Sequence, residues 1–158
     1  MLQRIQTIYL LITTALGTMA CFMPLFSFGD TPNAAGYTLT ALGIQQYIPA
    51  QEANVFVHYT IGLFAISVLI PLVSFLTIWL FKHRKIQIRM TIFNMLLMIG
   101  YYALAAWAIY FVQNSYQVIS KNFGIALSLH LINLIVAWLT IRAIGKDEAL
   151  VRSLDRLR

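Results

Sequence analysis

Charge is what this chain lacks. Only 10% of its 158 residues are Asp, Glu, Lys or Arg, against about 25% in an ordinary soluble domain. With 60% hydrophobic residues and a mean hydropathy of +0.78, most of the chain does not face water. The single cysteine, Cys21, excludes an internal disulfide and any multi-cysteine metal or Fe–S centre. Only five carboxylates exist. Asp30 and Glu52 lie in one polar stretch, Asp147, Glu148 and Asp155 lie near the C-terminus, and none falls inside an apolar run. Ion-coupled transporters and proton pumps usually carry intramembrane acids, so this distribution weakens both classes. The three histidines, His58, His83 and His130, are dispersed. No His-x-x-x-His or Cys-x-x-Cys spacing marks a metal site. No glycine-rich loop cradles a phosphate, and no serine or threonine has a base and an acid in reach on one side. The expectation is therefore a protein that is not an enzyme and holds no metal or cofactor.

What is present is organised around Lys82-His83-Arg84-Lys85-Ile86-Gln87-Ile88-Arg89, the densest basic run. Long apolar segments flank it on both sides. Its cations are too costly to place in hydrocarbon, so the run is a loop outside the bilayer and its flanking segments turn back on each other. Cationic loops stay cytoplasmic, which orients the protein by the positive-inside rule.

Four spans follow, each near the ~20 residues that cross a bilayer: residues 5–28, 58–81, 90–112 and 123–144. Under this path Arg4, Lys82, Arg84, Lys85, Arg89, Arg142, Lys146, Arg152, Arg156 and Arg158 lie inside, and Lys121 alone lies outside. A cleaved signal peptide is the weaker reading of the N-terminus, because the apolar run continues past Cys21 through Phe22-Met23-Pro24-Leu25-Phe26. In the first span Thr7, Thr14, Thr18 and Cys21 share one stripe and Thr13, Gly17, Ala20 and Pro24 the next, a small and weakly polar surface suited to helix packing in lipid. Pro71 predicts a kink in the second span. In the fourth, Ala126, His130, Asn133 and Ala137 share one face, and Gly124 and Ser128 lie roughly opposite.

Between the first two spans, Phe26-Ser27-Phe28 and Tyr37-Thr38-Leu39 alternate around a turn-rich cluster at 30–36, which predicts a small outer hairpin. Gln45 to Ala53 reads as a connection with a short interfacial helix. Residues 145–158 keep helical periodicity, with Leu150, Leu154 and Leu157 on one stripe and arginines elsewhere, and Gly145 reads as a hinge before this tail. The expected fold is an all-α membrane protein: a four-transmembrane-helix up-down bundle with a small outer loop or hairpin and a cytoplasmic amphipathic C-terminal helix. The expected domains are 1–144 and 145–158.

Two stretches and the ending carry a resemblance. Gln3-Arg4-Ile5-Gln6-Thr7-Ile8-Tyr9-Leu10-Leu11, then Lys85-Ile86-Gln87-Ile88-Arg89 with Asn94, then the run Asp147 to Arg158 resemble a family of small four-helix inner-membrane proteins from Bacteroidota, classed only as a domain of unknown function. The resemblance implies four spans and an inner-membrane location, and implies no catalytic residue.

Three functional readings compete. The first is an accessory or assembly subunit of the bacterial inner membrane. Its basic inner face, Arg4, Arg84, Lys85, Arg89, Arg142, Arg152, Arg156 and Arg158, would meet lipid headgroups and a protein partner, or a second copy in a homo-oligomer. The same face has too few aromatics for nucleic-acid stacking. The second is a small-molecule transporter or channel, whose polar path would draw on Thr14, Ser67, Ser74, Asn94, His130 and Asn133. The third is a haem- or quinone-binding subunit, with His58 and His130 as the haem candidates. For Asn94, His130 and Asn133, interhelical hydrogen bonding, worth about 0.6 kcal/mol per bond in membranes, is the simpler expectation. The topology predicts that a tag on either terminus resists membrane-impermeant labelling from the periplasm in intact cells. Labelling there at the level of an outer-loop tag contradicts it.

Overall fold

The computed structural model describes residues 2–30, 36–48, 53–81, 83–115 and 118–156. Lys82, Arg158 and most of the expected turn at 30–36 lie outside them. The side chains of Arg4, Lys121, Arg152 and Arg156 lie outside them too.

The first helix, α1 (Leu2–Phe22), ends two residues before Pro24, which cannot donate to a continuing helix. The chain then enters four strands: β1 (Phe26–Asp30), β2 (Gly36–Leu39), β3 (Gly43–Ile48) and β4 (Ala53–Tyr59). Thr60 alone leads from β4 into α2 (Ile61–Trp79). The remaining elements are α3 (Arg84–Ser115), β5 (Val118–Phe123) and α4 (Ile125–Arg156). Among the described residues, all four helices contain a stretch long and apolar enough to cross a membrane. Each helix packs on the next in sequence, and α4 closes the ring against α1.

The strands correct the expected all-α fold. They form one five-stranded antiparallel sheet, ordered β4-β3-β2-β1-β5. The expected hairpin is there as β1 and β2, with Phe26 opposite Leu39 and Phe28 opposite Tyr37. The stretch read as a connection with an interfacial helix is instead occupied by β3 and the start of β4, and the short loop before α4 holds β5. Val55-Phe56-Val57 is β-branched and aromatic, as strands favour. The expected second span began inside this strand, at His58. Span limits move accordingly: α1 stops at Phe22, α2 starts at Ile61, and α3 extends beyond the expected 90–112 at both ends.

Alternation places one face of the sheet on the helices. Phe26, Phe28, Tyr37, Leu39 and Ile44 are buried in one cluster with Leu63, Ile70, Met98, Tyr101, Ala105, Ala108 and Val112. The rings of Phe28 and Tyr37 stack with centroids 5.0 Å apart. The turn at Leu80 and Phe81, the start of α1 and the end of α4 lie at the opposite end of the bundle. We call the two ends the sheet end and the basic end. On α3, exposed Arg89 and exposed Trp107 stand eighteen residues apart, about 27 Å along the axis. That is close to the ~30 Å thickness of bilayer hydrocarbon.

Gly124 is where backbones meet. Its N–H donates to the Leu25 carbonyl at 2.8 Å, and a Cβ there would collide with the Pro24 carbonyl oxygen. The chain can pass from β5 into α4 only if this position is bare. Beyond it, α4 runs unbroken through Gly145, where the sequence suggested a hinge, to Arg156. The tail therefore continues the axis of α4.

Gly124→Ala should therefore destabilise the protein by about 1–3 kcal/mol through overpacking. Gly145→Ala, with open space around it, should be neutral or add up to about 1 kcal/mol of helix propensity. Thermal unfolding in mild detergent measures both. A loss at Gly145 would show that α4 needs to bend there.

Candidate functional site

The inward face of α4 is the one its spacing predicts. Ala126, His130 and Asn133 are fully buried, as are Ala137 and Thr140. The same three-four spacing continues through Ile144 to Asp147, also buried. In α1 the Thr13, Gly17 and Ala20 stripe is the packed one. Thr18 of the other stripe is exposed, and its hydroxyl donates to the Thr14 carbonyl of its own helix.

Within the apolar stretches, polar side chains tie each neighbouring pair of helices. Between α1 and α2, the Ser67 hydroxyl lies 3.2 Å from Cys21 Sγ, and the thiol donates to the Ser67 carbonyl, which Pro71 leaves without its helical partner. Between α2 and α3, Asn94 Nδ2 donates to Ser74 Oγ at 2.6 Å. Between α3 and α4, the Tyr102 hydroxyl donates to the Leu127 carbonyl at 2.6 Å. Between α4 and α1, Asn133 Nδ2 donates to the Thr13 carbonyl at 3.1 Å. Gly17 sits beside the last tie, where a Cβ would press within 3.3 Å of Pro71 Cβ.

Asn94 and Asn133 therefore make the interhelical bonds expected of them. His130 does not. Its ring lies 4.2 Å from that of Tyr101, centroid to centroid. Both its ring nitrogens, the Tyr101 hydroxyl, Asn94 Oδ1 and Asn133 Oδ1 have no hydrogen-bond partner among the described residues. Five of the six residues suggested for a transport path are engaged in hydrogen bonds. Ser67, Ser74, Asn94 and Asn133 are used in three different helix contacts, and Thr14 bonds the Leu10 carbonyl of its own helix.

His58 is not at the mouth of a helix but in β4. It lines a mostly apolar cavity of about 140 Å³ with Leu39, Ile44, Trp107 and Phe111, its ring 6.0 Å from that of Phe111. His130 meets α3 at Tyr101 instead. Ten residues of helix, about 15 Å, separate those two positions. A haem held by both histidines does not fit this arrangement. Among the described residues there is no cluster of three or more His, Cys, Asp and Glu.

At the basic end the arginines have different surroundings. Arg84, half-buried, reaches Asp147 of α4 with Nη1 3.0 Å from Oδ2. Lys85 and Arg89 are exposed on α3. Arg142 is exposed, with its guanidinium 5.6 Å from the centre of the Trp138 ring. Arg152 and Arg156 lie on the last turns of α4. The Arg84–Asp147 pair escaped sequence reasoning, because Asp147 was grouped with a separate amphipathic tail beyond a hinge at Gly145. The signal was its place on the His130–Asn133–Ala137–Thr140–Ile144 spacing. Gln6 was also missed; it is buried, and its Nε2 lies 3.5 Å from the Ala143 carbonyl.

Residues 2–157 match DUF4293, a domain of unknown function. The chain belongs to the DUF4293 family. No curated protein matches it. The expectation of a family of unknown function thus holds over nearly the whole length. In this DUF4293 chain, Arg84, just before the 85–89 stretch that carried the resemblance, meets Asp147 of the ending.

Replacing Arg84 by Ala strands a carboxylate that is only 10% exposed. A fully buried pair broken this way costs about 3–5 kcal/mol, and the 26% exposure of Arg84 discounts that to about 1–3 kcal/mol. Arg84→Met with Asp147→Leu should recover most of the loss. A double-mutant cycle in detergent unfolding checks this, and additive single losses would show that the pair is not coupled.

Proposed function

We propose that this DUF4293 protein is a non-enzymatic subunit of the bacterial inner membrane, with both termini in the cytoplasm. It docks a cytoplasmic or membrane partner through the far end of α4. The observation that carries this reading is the unbroken course of α4. Past the Arg84–Asp147 tie the helix continues for nine residues, from Asp147 to Arg156, or about 13 Å. That arm carries Arg152 and Arg156 one turn apart, and Leu150 and Leu154 one turn apart. Cations beside an apolar stripe on a helix suit a partner that offers a groove with an acidic rim. Exposed Lys85 and Arg89 of α3 add to the basic surface of this end.

The transport reading has less support, because its candidate residues are spent in separate helix–helix bonds. The two histidines lie too far apart along α3 for a shared haem, so that reading has less support as well.

The docking role predicts co-purification of one dominant partner in mild detergent, reduced at least about tenfold when Arg152, Arg156 and Arg158 become Ala. Quantitative mass spectrometry of the affinity-purified protein reads the ratio. Undiminished recovery from a variant that expresses and elutes normally would overturn the docking role.

A further inference from the structure

We infer that the groove between α1 and α4 at the basic end binds one anionic phospholipid of the adjoining leaflet. The headgroup phosphate lies against Arg142 and Lys146, and an acyl chain runs along Ile5 and Leu139. The groove is an open cavity of about 290 Å³, lined by Ile5, Tyr9, Leu139, Arg142, Ala143 and Lys146.

Its chemistry is divided along its length. Arg142 and Lys146 are one helical turn apart on α4, which puts two cations close enough to share one phosphate. Because α1 and α4 run antiparallel, with Gln6 beside Ala143 and Thr13 beside Asn133, Ile5 lies level with Arg142. One turn further into the bundle the lining is Leu139 of α4 and the Tyr9 ring of α1.

Among the described residues the ion pair at this end joins Arg84 to Asp147, on the buried face of α4. No described carboxylate pairs with Arg142 or Lys146.

The groove also lies at the right depth. The apolar stretch of α1 begins at Ile5, and that of α4 ends at Asp147. Exposed Trp138 lies one turn below Arg142, as indole rings do at the membrane interface. A soluble anion would use the cations and leave Ile5, Leu139 and the Tyr9 ring in contact with nothing. A phospholipid uses both. Basic pockets between spans recognise anionic headgroups by this division. The inference does not rest on the docking role of the α4 arm, and its failure leaves that role standing.

The test is native mass spectrometry of the full chain in mild detergent, titrated with phosphatidylglycerol or with phosphatidylcholine of the same acyl chains. Expected is one phosphatidylglycerol retained per chain in preference to phosphatidylcholine. Retention should fall about tenfold to thirtyfold in the Arg142→Gln, Lys146→Gln variant. It should persist in the charge-conserving Arg142→Lys, Lys146→Arg variant and in the Arg152→Ala, Arg156→Ala, Arg158→Ala variant. Both substituted side chains are exposed, and an unchanged melting temperature without lipid confirms that the glutamine variant is folded. A melting temperature lowered by those substitutions would show that the two cations serve the fold and would overturn the assignment. Equal retention of the two lipids, or full retention by the glutamine variant, would also overturn it. So would displacement of the lipid by millimolar inorganic phosphate, which would mark a site for soluble anions.

Discussion

The pairing of β1 with β5 holds the architecture together. Helices in lipid have no hydrophobic reason to prefer one another over acyl chains, so two helical hairpins need another cause to form one bundle. Here the cause lies outside the apolar stretches. β1 belongs to the α1–α2 connection and β5 to the α3–α4 connection, and they pair from Phe26↔Phe123 to Asp30↔Val118. Only Met23, Pro24 and Leu25 separate α1 from β1, and Gly124 alone separates β5 from α4. The register of this one strand pair therefore sets where α1 meets α4. A slip of one residue would turn Phe26 and Phe28 away from the helices.

Magnitudes separate what stabilises the bundle from what specifies it. Each polar tie is worth about 0.6 kcal/mol in a membrane, so the four together supply little. Each large side chain that the sheet buries, such as Phe26, Leu39 or Ile44, contributes about 1.5–3 kcal/mol. The sheet end is thus the thermodynamic core. The ties at Ser67, Asn94, Tyr102 and Asn133 choose which helix faces touch. Polar atoms in hydrocarbon are costly wherever they lack a partner, so rotating a helix by one face forfeits its tie and exposes its donors. Gly17 and Pro71 let α1 and α2 approach closely where two of these ties are made.

The sequence was read best where a local pattern has a local cause. Four apolar runs separated by polar stretches identify the spans, the basic run at 82–89 orients them, and the three-four spacing of Ala126, His130, Asn133 and Ala137 identifies the buried face of α4. The sheet was legible only at Phe26-Ser27-Phe28 and Tyr37-Thr38-Leu39, where alternation is clean. β3 carries two glutamines at its centre, β4 merges into the apolar start of α2, and β5 is six residues in a short connection. What makes each of these a strand is its neighbour, and the neighbour of β5 lies almost a hundred residues earlier in the chain. His130 was legible as buried but not as unpaired, because the Tyr101 ring that faces it comes from another helix. The Arg84–Asp147 pair was hidden by treating residues 145–158 as a unit separate from α4.

The basic end then divides into charges with different physical roles. A positive-inside count treats every Lys and Arg alike, but their surroundings differ. Arg84 is neutralised by a buried carboxylate and holds α3 to α4. It offers little charge to anything else. Arg142 and Lys146 keep their charge beside an aliphatic groove at the edge of the apolar stretch, where screening by water is weakest and a phosphate gains most. Arg152 and Arg156 lie beyond Asp147 on a helix that continues past the apolar stretch. There the Debye length of about 8 Å in physiological salt limits their reach. A contact made by those last two must be short-ranged and geometric, which suits a docked protein surface better than a diffuse attraction to lipid.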